Sequence, residues 1–577
     1  MNCGATRKTV CLILIAVVMP NVKSEDTLDK MLRRREADCA RAILDRVRVP
    51  DVAPAKDACS VTRYRELVRT DTWQEVWPKE GGGEQTISVT AEVWTAAIRV
   101  ALRENKIVRI EHRLKPYYID APLILKSGQQ LVVDPKAEIR LKPGSNCCMV
   151  RNEHLANGHA GPVELAADAD HDIVITGGIW TTLATNQRRQ SNGNTRGLAD
   201  PKGALPSHGV ILLNSVRSVR VSGVTIRECR PHGVQISNCS QFLVEDIRFQ
   251  NHRRDGVHVN GPASYGVIRE IRNAQGVMGD DMLALNAWDW KNTVMTFGPI
   301  HHLLVENVDG SPVAESDTGK RGKQGEHRSE IRLLAGTKHF GAGNTLDCTI
   351  EDCVIRGVAG IRTFKMYDQP NLELGRTVDF ADPIGNMKNL FFSDVRVDRR
   401  IGAALFQIHS NVDGLTIRDV RLGFAPKREG GKSFTLVAIG PVSQTYKFDK
   451  NDPNRWVEVF SPDKDCTVKG LHIASVRSAN GTDGKESGRR IAADELVRVI
   501  QQTVNPNYPK STPKGGTGQG RLEDLNGRPF VQLPEPVPAR RGLRWQSGGR
   551  PPYKARPRPI RSLTARLTTV TLIRPRG

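Results

Sequence analysis

A short alternation of apolar and polar residues, interrupted each time by two polar or small positions, runs through most of the chain. It occurs eight times, at Asp172–Trp180, Ser218–Ile226, Phe242–Phe249, Leu303–Val308, Cys348–Ile355, Leu390–Val397, Leu415–Leu422 and Cys466–Ile473. Period 2 places alternate side chains on opposite faces of a strand; a helical repeat needs period 3.6, which is absent. Between 207 and 285 a second phrase accompanies the first, beginning at His208, His232, Asp255 and Asp280, in steps of 24, 23 and 25 residues. Such a unit holds two or three short strands and no long helix, and it is too small for a propeller blade of about 40 residues. The pattern predicts an all-β solenoid: a single-stranded, right-handed parallel β-helix whose coils stack about 4.8 Å apart around one apolar column.

The flanks read differently. Residues 1–24 have a secretory pattern, with Arg7 and Lys8, an apolar run Val10–Val18, Pro20, and cleavage expected before Glu25. The expected location is therefore secreted or periplasmic. Residues 25–80 read as a polar, helical N-terminal cap that covers an edge otherwise prone to aggregation. Glu92–Asn105, with Val93, Ala96, Ala97, Val100 and Ala101 on one face, predicts a helix leading into the coils. Residues 81–500 are assigned to the solenoid and 501–577 to a Pro-, Gly- and Arg-rich extension, largely disordered. No internal stretch approaches the roughly 18 apolar residues of a membrane span.

Charge changes the picture little. Of the formal +21 over 577 residues, the tail 531–577 supplies ten Arg and one Lys against Glu535. The basic balance is thus half a property of the tail, and no nucleic-acid partner is expected; the protein reads as a monomer. Of eleven Cys, nine remain after the leader, with no metal-ligand spacing, so no metal and no cofactor are expected. Cys39 and Cys59 are candidates for a disulfide in an oxidising compartment.

In stacked coils, equal register means vertical adjacency, so Asp255, Asp280 and the neighbouring Asp281 should converge on one surface patch, with Asp281 in the outward register of Gly256 and His258 also outward. Clustered carboxylates raise one another's pKa, so that one keeps its proton while another is ionised. That is the arrangement general acid/base chemistry needs. Neighbouring coils should supply the separation of roughly 6.5–9.5 Å used by inverting glycosidases.

Asp255–Val257, followed by Gly279–Leu285, resembles the Asn-Thr-Asp-Gly and Gly-Asp-Asp motifs of the polygalacturonase-like glycoside hydrolases, family 28, and Gly360–Lys365 resembles that family's Gly-Val-Arg-Ile-Lys. The likeness covers about residues 85–480. It implies a single-displacement, inverting hydrolase of a polysaccharide, pectin-like and uronate-containing, in which Asp280 protonates the leaving oxygen and Asp255 and Asp281 position water. Arg362 and Lys365 would hold the sugar. The chain departs from the family in having Arg253 and Arg254 before Asp255, one extra residue between Arg362 and Lys365, and no His near Ser329–Ile331, where His327 is the nearest substitute for the Gly-His-Gly histidine.

Other candidates come from the residues themselves. Trp288 could stack on a sugar at the groove wall. Arg332, placed in the same outward register as Arg362, could bind a carboxylate bidentately. Two rivals use the same fold: a Ca²⁺-dependent polysaccharide lyase with Asp255, Asp280 and Asp281 as oxygen ligands, and a non-catalytic carbohydrate-binding surface protein.

Overall fold

The computed structural model describes residues 24–78, 83–155, 169–187, 209–289, 296–312, 329–340, 344–368, 385–398, 404–424, 434–440, 443–447, 456–460, 465–478, 489–493, 496–499 and 519–530. Residues 1–23 of the leader, the tail beyond 530, His208, Trp290 and His327 lie outside these residues.

The alternating phrases form strands that pair in parallel with their counterparts in the next coil. One ladder joins 211–214, 234–237, 257–260, 283–286, 331–334, 364–367 and 406–409. A second joins 219–222, 242–245, 266–269, 303–306, 353–356, 390–393, 415–418 and 471–474. A third passes through 225–227, 247–250, 271–273, 308–309, 358–359, 395–397, 420–422 and 476–478. The architecture is the parallel β-helix that the repeat predicts. Its inward column is predominantly apolar; Phe364 and Phe406, register neighbours, stack with ring centroids 4.5 Å apart.

The polar pair inside each phrase has a structural cause. Asp246, Glu270, Asn307, Gly357, Asp394, Asp419 and Ser475 share one position in successive coils, and all have φ between 50° and 68°. A second left-handed ladder runs through Ser218, Gln241, Tyr265, His302, Asp352 and Asn389. This region costs an ordinary L-residue about 1–2 kcal/mol and is easiest for Gly, Asn and Asp. The chain turns its corners there, and short polar residues gather at the corners.

The N-terminal region corrects the expected cap. Helix α1, Ser24–Arg46, lies along the side of the solenoid and does not close its end. Its Ala40 and Ile43 pack on Leu243, Val267, Leu304, Val354 and Phe391, which stand in register on the outward side of successive coils. The buried Glu36 accepts hydrogen bonds from Ser393 Oγ at 2.6 Å and Arg418 Nε at 2.7 Å. Arg33 reaches Asp419 at 2.9 Å, whereas Arg46 meets Tyr265, so α1 runs antiparallel to the direction of coil stacking. Arg69–Pro78 and Glu84–Val93 form an antiparallel pair, not helix, because their polar residues alternate at period 2. Helix α2, Thr95–Glu104, buries Ala97, Ile98, Ala101 and Leu102; Ile98 belongs to the buried face and Ala96 does not. Cys39 and Cys59 are unbonded: Cys39 Sγ points at Asp352 O, and Cys59 pairs in a strand beside Val108. The solenoid also continues past 500, since 466–468 pair with 520–522.

Because Ile43 is fully buried on the outward apolar stripe, Ile43→Ala should destabilise the protein by about 2–5 kcal/mol, read as a lowered unfolding midpoint in denaturant. An unchanged midpoint would mean that α1 is not held by this stripe.

Candidate active site

The site forms where the chain turns into the first ladder. Val234, Val257 and Leu283 are register partners, so His232, Asp255 and Asp281, each two residues earlier, stack in successive coils. The offset from Asp255's coil to the next is 26 residues, not the 25 counted between the phrases. Asp281 therefore takes the position of Asp255, and Asp280 that of Arg254. The glycines in the phrase are required by packing. A Cβ on Gly256 would lie 2.7 Å from Met282 O and 2.8 Å from the Phe249 ring, and one on Gly233 would lie 2.5 Å from the same ring. This lets the turn close down over Phe249, and the buried His252 props it by donating from Nε2 to Asp255 O at 2.9 Å.

Asp255 Oδ2 accepts from His258 Nδ1 at 2.7 Å, and His258 Nε2 lies 3.1 Å from Asp289 Oδ2. His232 Nε2 is 3.6 Å from the same Asp255 oxygen, and the two imidazoles stack with centroids 4.0 Å apart and planes 10° from parallel. Asn286 Nδ2 donates to Asp289 Oδ2 at 2.9 Å. On the other side, one oxygen from each of Asp255, Asp280 and Asp281 lies within 4.8 Å of the others. Arg254 Nη1 is 3.2 Å from Asp280 Oδ2, Arg332 Nε 3.0 Å from Asp281 Oδ2, and Lys365 Nζ 2.6 Å from Glu330 Oε2. The Arg332 contact is close without hydrogen-bond alignment, and neither oxygen of the fully buried Asp281 accepts a hydrogen bond.

These neighbours divide the protons. Burial opposes ionisation of Asp255, but the hydrogen bond and charge of His258 and the charge of Arg254 outweigh it and hold the carboxyl well below the usual range. Burial would lower His258, yet its hydrogen bonds to Asp255 and Asp289 hold it up at about 9. Burial keeps His232 neutral, and the His258 charge adds to that. Burial pushes Asp281 well above the carboxylate range; Arg332 opposes this, and Asp255 and Asp280 reinforce it. The cluster thus contains an ionised carboxylate and a protonated one in adjacent coils.

The geometry speaks against a metal at either group of ligand-type residues. Imidazole lone pairs lie in the ring plane, so the parallel, stacked His232 and His258 cannot both direct one at a single ion. In the carboxyl cluster, Arg254, Arg332, Lys365 and the His258 imidazolium already stand among the five carboxyl groups Asp255, Asp280, Asp281, Asp289 and Glu330, and a dication would bring its charge beside these cations.

Several sequence expectations are corrected. Asp255 and Asp281 are buried, and only Asp280, with its side chain 21% exposed, is open to solvent among the three. The oxygens approach far more closely than the expected 6.5–9.5 Å, because partners in adjacent coils are held at the coil spacing. His258 and Trp288 are buried, so neither lines an open groove. Arg332 stands opposite Lys365, three residues beyond the register of Arg362, which is half-buried and outside the cluster's contacts. Asp289, Arg254 and Glu330 were missed as site residues; Asp289, between Trp288 and Trp290, was the most legible of them.

No protein-family model matches the chain, and no curated protein matches it in sequence. Among solved structures, it is similar to the surface protein and adhesin PfbA of Streptococcus pneumoniae, at 11% identity over 73% of this chain and 97% of that one, with a TM-score of 0.36. A family 28 exopolygalacturonase of Yersinia enterocolitica matches at 11% identity over 80% of this chain and 84% of that one, TM-score 0.35. The catalytic unit of a GH87 α-1,3-glucanase from Streptomyces thermodiastaticus matches at 12% over 76% and 72%, TM-score 0.32. At these values no activity is read from the likeness, and the fold stands on the strand pairing above.

The raised pKa of Asp281 has a stability consequence. A carboxyl whose folded pKa lies above its unfolded value loses stability as pH rises from about 4 through the folded pKa, at about 1.4 kcal/mol per unit of displacement. Asp281→Asn should therefore raise the thermal unfolding midpoint at pH 7, with the gain vanishing near pH 4. A variant less stable than the parent at pH 7 would show that Asp281 is held as the carboxylate by Arg332.

Proposed function

We propose that the chain is an exported glycoside hydrolase that cleaves a polysaccharide at the corner formed by Asp255, Asp280 and Asp281. The observation that carries this reading is the pair of oppositely disposed carboxyl groups, one held ionised and one held protonated, beside a third that reaches solvent. Asp255 serves as the base that activates water. Asp280 meets the glycosidic oxygen, and the proton that rests on Asp281 is shared with it, as in coupled carboxyl pairs. Charge developing on the leaving oxygen is thereby neutralised as the bond breaks.

The substrate proposed is a uronate-containing glycan. Arg254 beside Asp280, Arg332 beside Asp281 and Lys365 in the next coil have side chains 21–26% exposed, a cationic rim for a sugar carboxylate. The course is proposed as single displacement with inversion, on the order of the Asp255 and Asp280–Asp281 motifs; the carboxyl separation does not support it.

Asp280→Asn should lower kcat by about 1,000-fold or more, with the unfolding midpoint and polysaccharide binding retained, when the protein is tested on a panel of acidic and neutral glycans with reducing-end detection. NMR of the first-formed anomer reads the stereochemistry. Undiminished turnover in the variant would remove the assignment, and activity abolished by EDTA with an unsaturated product would replace hydrolysis by elimination.

A further inference from the structure

We propose that His258 is a positioning residue: an imidazolium clamped between Asp255 and Asp289 that fixes the orientation and charge of Asp255 without touching substrate. The inference rests on the reading of Asp255 as the base.

The geometry assigns each edge of the ring. Nδ1 meets Asp255 Oδ2 at 2.7 Å and Nε2 meets Asp289 Oδ2 at 3.1 Å. Asn260 Nδ2 also lies 3.3 Å from Nε2, but the Asp289 oxygen is nearer and carries the charge, so Nε2 keeps a proton towards it and, with Nδ1 donating to Asp255, the ring is the doubly protonated cation. Its face is covered by His232, and the side chain is 2% exposed, which leaves a substrate no approach. The groups that face this unit are His232 from the preceding coil, Arg254 and Asp255 from its own turn, and Asp289 from the following one; Asp280, Asp281 and Arg332 lie beyond Asp255. Of these, neutral His232 supplies stacking, and Arg254 is drawn towards Asp280. His258 is the remaining cation hydrogen-bonded to Asp255.

Asp255 Oδ2 is occupied by this bond, so the carboxylate cannot rotate freely and Oδ1 is left as the oxygen that His258 does not hold. Asp289 does for His258 what an orienting carboxylate does for any buried imidazole: it holds ring angle and charge. The consequence is a window of activity. Loss of the imidazolium proton removes the charge that holds Asp255 in its orientation, so the basic edge of the profile should follow His258 at about 9. Removal of the cation should raise the Asp255 pKa and move the acidic edge upward.

The test uses the full-length protein, labelled with ¹⁵N at histidine and titrated by NMR from pH 5 to 10. One ring should show a strongly downfield Nδ1 proton and titrate near 9, and Asp289→Asn should move that midpoint towards the ordinary 6.5. In glycan turnover, His258→Gln should lower kcat by about 100-fold with KM unchanged and the acidic edge raised. His258→Asn, whose amide can replace the Nδ1 donor but not the charge, should recover part of kcat while keeping the shifted edge. No histidine titrating above 7, or a His258→Gln enzyme with parental kcat and pH profile, would overturn the proposal. The NMR arm needs no turnover: a clamped imidazolium in a protein that cleaves no glycan would defeat the hydrolase reading alone, and turnover without the clamp would defeat this inference alone.

Discussion

Hydrogen bonding between stacked coils leaves side chains at one position no way to avoid each other. Because Val234, Val257 and Leu283 are partners, His232, Asp255 and Asp281 are held at roughly the 4.8 Å spacing of strands. An imidazole beside a carboxylate is favourable there. A second carboxylate is not: at an effective dielectric of about 20, two like charges at that distance repel by roughly 3–4 kcal/mol. The pair responds by retaining a proton. Asp255, with imidazoles on one side, gives it up, and Asp281, sealed and without hydrogen bonds, keeps it. The chemistry of the corner thus follows from backbone register before any substrate is considered.

The same constraint acts elsewhere on the solenoid. A residue that suits a corner suits it in each coil, so left-handed positions line up as ladders, and an apolar residue placed outward recurs as a stripe. The stripe from Leu243 to Phe391 could not remain facing water without inviting association. Helix α1 covers it and is pinned at one end by Glu36 on Ser393 and Arg418.

Much of this was legible in the sequence. Period 2 and the two-dozen-residue step specify the coils, and they bring Asp255 together with the Gly279–Asp281 turn. Counting from phrase to phrase cannot detect one extra residue in a turn, and that residue shifts both aspartates by one position, so that Asp281, not Asp280, stands in register with Asp255. Alternation also tells which side of a strand a residue takes, but not whether that side is covered; His258 and Trp288 were placed outward and are buried. In α1 the spacing of Leu32, Glu36, Ala40 and Ile43 marks a buried face, and Leu243, Val267 and Leu304 break alternation in the strands. Both halves of that contact were in the sequence, but only three-dimensional register joins them.

The proton on Asp281 also bears on what Arg332 is free to do. A neutral carboxyl attracts a guanidinium weakly, and Arg332 Nε stands 3.0 Å from Asp281 without forming an aligned hydrogen bond. Lys365, by contrast, is held by Glu330 at 2.6 Å. On the proposed reading, Arg332 is then the cation best able to accept a sugar carboxylate in the resting enzyme. Once the proton passes to the leaving oxygen, Asp281 becomes an anion and reclaims Arg332. The step that breaks the glycosidic bond would in that way loosen the hold on the acidic product, which couples release to chemistry through a single buried proton.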